Sequence, residues 1–95
     1  MSKMKIIRTT NAGVFFGKLE LYLPETRTAK LTDARRLWYW AGAASLSQLA
    51  VEGVKRPLDC KFAIPINVTV TEVIEIIDVT KDAEKSIKEV PIWRV

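Results

Sequence analysis

Residues 34–57 read ARRLWYWAGAASLSQLAVEGVKRP, and the fold turns on how this stretch is divided. It holds two of the three tryptophans, one of the two tyrosines, two of the four glycines and three of the six arginines, and its one acidic residue is Glu52. Aromatic content favours a strand over Arg35–Trp40. A period of two then places Arg36, Trp38 and Trp40 on one face and Arg35, Leu37 and Tyr39 on the other. Ala41-Gly42-Ala43 is a small, tight link. Ala44–Glu52 carries Leu46, Leu49 and Ala50 at helical spacing, with Ser45 or Ala43 at its start and Gly53 fit to end it in the left-handed region. A rival division is open. Asp33 is a good N-cap, and one helix could run from Ala34 to Glu52 with Tyr39, Ala43, Leu46 and Ala50 on one face.

Outward from this stretch the chain reads as short elements. Lys5–Thr10 and Val14–Leu23 form a hairpin about Asn11-Ala12-Gly13. In the second strand Phe15, Gly17, Leu19, Leu21 and Leu23 form the expected buried face, and Gly17 marks a bulge or a close backbone approach. Thr28–Thr32 is a brief third strand, after which Asp33 turns the chain. Cys60–Ile66 is a strand ended by Pro65. Val68–Val79 fits a strand or a helix, and its β-branched residues favour the strand. Thr80 caps a short helix over Lys81–Lys88, and Ile92-Trp93-Arg94-Val95 is a terminal strand or docked tail. These elements predict one α+β domain over residues 1–95: a small antiparallel sheet with one main helix and a second short helix packed on it.

Composition narrows the chemistry. Ninety-five residues with 48% hydrophobic content can bury a small core, and association into a homo-oligomer would bury more. The net charge of +4 permits an anionic partner without requiring one. With no histidine, the commonest general base and the usual triads are missing. The single cysteine, Cys60, can make no internal disulfide and no zinc cluster, which fits a reducing cytoplasm. It reads as a small buried residue. Glu72 and Glu75 read as solvated, since strand residues three apart point to opposite faces. No phosphate-loop or dinucleotide glycine pattern is present. The N-terminus lacks the apolar core of a signal peptide, and the longest uncharged run, Leu37–Val51, falls short of the roughly 20 residues of a membrane helix. The expectation is therefore a non-enzymatic protein with no cofactor, no metal and no membrane association.

The basic and aromatic residues remain: Arg35, Arg36, Trp38, Tyr39, Trp40, Ser45, Ser47, Lys55 and Arg56. Rings stack on a base and arginine forks onto phosphate, so this set predicts a site for a phosphorylated small molecule such as a nucleotide. The amides at the helix start near Ala43–Ser45 could hold the anion. Lys55 and Arg56 lie past the other end of a helix about 13 Å long, so they are expected to meet that start only across an oligomer interface. Against this stands a plain packing role, with Trp38 and Trp40 in the core and the arginines at its rim. Two other functions fit the same residues. One is a protein-interaction inhibitor acting through the Trp-rich surface. The other is single-stranded nucleic-acid binding, for which +4 is a low charge.

The segments RRLWYWAGAASLSQLAVEGVKRPLDCKF (35–62), EVIEIIDVT (72–80) and VPIW (90–93), with the Asn11–Phe15 start, carry a resemblance. Over nearly the whole chain it resembles a family of small uncharacterised proteins of tailed bacteriophages and prophages. That resemblance supplies no catalytic residue. It implies a context: a viral accessory protein in the cytoplasm of the bacterial host, serving takeover or anti-defence. The phosphorylated ligand would then be a cyclic-nucleotide-like immune signal that the protein sequesters.

Overall fold

The computed structural model describes residues 3–94. Strands β1 (Met4–Thr9) and β2 (Val14–Leu23) form the expected antiparallel hairpin, with Ile6 opposite Phe16 and Ile7 opposite Phe15. The two strands predicted on either side of Asp33 are one 12-residue strand, β3 (Thr28–Tyr39), paired along β2. Asp33 kinks it rather than ending it. Its φ of 51° lies in the left-handed region, which aspartate tolerates better than most residues, and pairing to the strand beyond shifts register between Leu31 and Ala34. The rival long helix is thereby excluded. Gly17 marks a close approach, since a Cβ there would stand 2.8 Å from the Cα and Cβ of Ala34.

The remaining strands share the two edges. β4 (Lys61–Phe62) and β5 (Ile66–Val70) lie along the outer edge of β3, β4 against its C-terminal end and β5 against Ala29–Ala34. β6 (Val73–Asp78) lies on the opposite edge, against β1. The predicted strand Cys60–Ile66 is thus cut to two residues, and Val68–Val79 is two strands broken at Thr71-Glu72, with Glu72 at φ 58°. So short a link between opposite edges forces the sheet to curl until they meet. The corner is tied by Val73 N–H to Arg27 O and Thr10 N–H to Glu72 O.

Curling explains why neighbouring residues on β1 and β2 are both buried. Ile7, Phe15, Leu31 and Val70 fill the inside of the curl, where no helix covers them. Ile6, Phe16 and Leu37 face the other way, under α1 (Leu46–Glu52) and α2 (Lys81–Lys88). Leu21 and Leu23, expected inside, are exposed: the register shifts between Leu19 and Leu21, and Tyr22 packs inward in their place. Ser45 caps α1 and Gly53 ends it at φ 77°; Thr80 caps α2 within its expected bounds. The helices have seven and eight residues, so neither is a main helix. They are joined by Thr80 N–H to Ala50 O and Val54 N–H to Ser86 Oγ. Among the described residues no helix is long and apolar enough to cross a membrane.

Candidate functional site

β3 sorts its two arginines by strand alternation. Arg35 turns toward the helices and is 4% exposed. Its five N–H donors meet five carbonyls: Nε to Ala63 O at 3.0 Å, Nη1 to Ile87 O and Val90 O at 2.9 and 2.8 Å, and Nη2 to Phe62 O and Pro91 O at 3.1 and 3.3 Å. Burial draws its pKa below the ordinary arginine value, with the nearby Cys60 pulling weakly upward. No donor is left for a ligand. The expectation that Arg35 binds an anion is therefore corrected: it clamps the exit of α2 and the C-terminal tail to β4.

Arg36 turns the other way. Its guanidinium carbon stands 4.8 Å from the Phe15 ring centroid and 5.9 Å from that of Trp38, within cation–π range. Its Nε is the one buried side-chain polar atom without a partner among the described residues. Trp38 is 61% and Tyr39 51% exposed, while Trp40 is half-buried against the helix-side core. The packing role suggested for the tryptophans thus holds in part for Trp40 and fails for Trp38.

Beyond β3 the chain bounds a hollow of about 450 Å³, lined by Trp38–Ala43 and Arg56. Gly42 makes it possible. At φ 84° it brings the backbone so close to the Lys55–Arg56 segment that a Cβ would stand 2.6 Å from Lys55 N and 2.9 Å from Arg56 N. The basic loop therefore folds back on the aromatic strand end within one chain, and no oligomer interface is needed to unite them. Gly53 and the 3₁₀ turn Pro57–Asp59 reverse the path. Among the described residues, no carboxylate lines the hollow.

The helix start contributes less than expected. Ser45 Oγ accepts Gln48 N–H and Gln48 Oε1 accepts Ala44 N–H, so these amides are spent within the cap. Ser45 is thus a capping residue. Ser47 and Lys55 are exposed and do not line the hollow. Cys60 is buried, with Ala41 N–H directed at its Sγ at 3.2 Å. Glu75 pairs with Arg8 at 2.9 Å, and Glu72 accepts Asn11 Nδ2. No group of three metal-ligating acidic or cysteine side chains occurs among the described residues.

A second hollow, of about 210 Å³, escaped the sequence reading. It shares Trp38 with the first and is lined by Trp38, Ala63, Ile64, Trp93 and Arg94. The tail builds it: Trp93 N–H bonds Phe62 O at 2.9 Å, and Ile92 bridges Phe62 in parallel. Trp93 is 47% exposed, with Lys61 Nζ 5.5 Å from its ring centroid. The only signal in the sequence was a tryptophan too large to stand in water without a reason.

A family model described as Domain of unknown function (DUF6948) matches residues 2–87. None of the curated proteins and none of the solved structures matches the chain.

Proposed function

The chain belongs to the DUF6948 family, and from that premise we propose that it binds a small phosphorylated ligand with a planar ring in the hollow at the end of β3, without turning it over. The observation that carries this reading is the lining itself: three consecutive aromatic residues, one of them largely exposed, face an arginine with no carboxylate among them. An exposed ring offers a base a stacking surface, and Arg56 offers phosphate a planar pair of donors. None of the lining side chains is a carboxylate, thiol or imidazole, which favours holding a ligand over transforming it. In the viral setting suggested by the resemblance, the ligand would be a cyclic-nucleotide-like immune signal, and holding it would be sequestration.

Titration calorimetry with a panel of nucleoside monophosphates tests the reading. Arg56→Ala removes hydrogen bonds to a charged group, worth about 1.5–3 kcal/mol, so affinity should fall roughly tenfold to more than a hundredfold. Arg56 is exposed in a loop, and the variant should melt like the parent. A parent that binds none of the panel at millimolar concentration refutes the reading. So does a folded Arg56→Ala variant that binds as the parent does.

A further inference from the structure

We propose that the two hollows, which share Trp38, are halves of one site, and that its ligand carries two nucleobases joined through a phosphate, one base in each hollow. The inference rests on the reading of the first hollow as a nucleotide site and names what the rest of the ligand must be.

Trp38 is the common wall of both hollows and is 61% exposed. An indole so open to water, on a strand whose Leu31 and Leu37 are covered, asks for a partner. Arg36, held over Phe15 and near the Trp38 ring, steadies this wall from the strand behind it.

The second hollow has the chemistry of a base subsite and not of a phosphate subsite. Trp93, Ile64 and Ala63 make it apolar, and at about 210 Å³ it is less than half the size of the first. Its one charged lining residue among the described residues is Arg94, and Lys61 stands over the Trp93 ring, so cations flank it. A planar ring with an anionic tether matches that arrangement; a neutral apolar peptide does not use the cations. The larger hollow, with Arg56, takes a base together with its sugar and phosphate. The backbone of Trp93 is fixed by its bond to Phe62 O, so the second stacking surface is set before a ligand arrives.

The test compares adenosine monophosphate, the dinucleoside monophosphate ApA, and an oligoadenylate of about ten residues on the full chain by calorimetry. ApA carries less charge than the mononucleotide, so a gain in affinity comes from its second base. One added base stack predicts a gain of roughly ten- to hundredfold. Trp93→Ala should bring ApA down to the level of the mononucleotide. Lys61→Glu, which leaves Trp93 in place at an exposed position, should weaken ApA severalfold. Circular dichroism confirms that both variants fold. If ApA and the mononucleotide bind equally well to the parent, the two-base site is wrong while the first hollow stands. If neither binds, both readings fall. If ApA binds more tightly but neither variant reduces the gain, the second base lies elsewhere and the proposal is overturned. If the oligoadenylate binds at least tenfold more tightly than ApA, the surface is a track for single-stranded nucleic acid, and the two-base ligand is refuted.

Discussion

Replacing Arg35 with methionine should unfold much of what holds the C-terminal tail. Substituting a buried ionic group by an apolar one can be neutral when its partners are replaced with it. Here the partners are main-chain carbonyls, which no side-chain substitution removes. Two of the five keep another donor: Ile87 O retains Val90 N–H and Phe62 O retains Trp93 N–H. The bonds to Ala63 O and Pro91 O are only part-buried, so water can replace the arginine there. Val90 O is buried and accepts no other hydrogen bond among the described residues, leaving an orphan that costs about 1–3 kcal/mol. Adding about 1.5–3 kcal/mol for the weakened charge-assisted bonds and subtracting the desolvation that arginine no longer suffers gives about 3–5 kcal/mol. A chain of 95 residues has roughly 5–14 kcal/mol in all. The melting temperature should therefore fall by roughly 12–40 °C. Arg35→Lys keeps the charge and three donors but loses the planar fork, so it should fall between the two. Urea denaturation followed by circular dichroism measures the difference. A methionine variant within about 1 kcal/mol of the parent would show that the five bonds contribute little net stability and that the clamp is misread.

Two further substitutions probe the local geometry. Gly42→Ala puts a Cβ against Lys55 N in a left-handed backbone, and should cost about 1–3 kcal/mol in urea denaturation while weakening mononucleotide binding; an unchanged midpoint and affinity would mean the Gly42 approach to Lys55 is not needed. Ser45→Ala removes a single cap and should cost about 1 kcal/mol, whereas Thr80→Ala also loses the 2.7 Å bond from Thr80 Oγ1 to Val51 O and should cost about twice that. Equal losses in paired denaturation curves would show that the Thr80–Val51 bond between the helices adds nothing.

What the sequence made legible is what local rules decide. Val14–Leu23 announced itself by β-rich composition between turn signals, and Lys81–Lys88 by a capping threonine and a following proline. Gly53 marked the end of α1 for the same reason, while its start, expected at Ala44 with Ser45 or Ala43 as cap, lies at Leu46 behind Ser45. The break at Thr71-Glu72 had no such marker, because a glutamate in the left-handed region looks like any other glutamate. The curl of the sheet was hidden too. It shows only as adjacent pairs, Ile6–Ile7 and Phe15–Phe16, that are both buried, a pattern that alternation treats as an error in one member of each. The second hollow depends on a tail that reaches β4 from about 30 residues further along the chain, and no local pattern encodes that contact.

The hardest choice for a sequence reading was between Arg35 and Arg36, and the reason is physical. Adjacent strand residues face opposite sides, and both sides of this strand continue apolar, so composition gives no preference. What separates them is which side the chain later covers. The exit of α2 brings Ile87 O and Val90 O to the Arg35 side, where a helix C-terminus favours a cation. The Arg36 side receives Phe15 from inside the curl and leaves Trp38 in the open. One arginine thus holds the tail, and the tail carries Trp93 to the face on which the other arginine backs Trp38. The two faces of β3 are coupled through that tail. Loosening the Arg35 clamp should disturb the second hollow before the first, because the first is closed by Gly42 against Lys55 and Arg56 and includes no tail residue. A ligand that needs both hollows would then report on the packing of a residue it never touches.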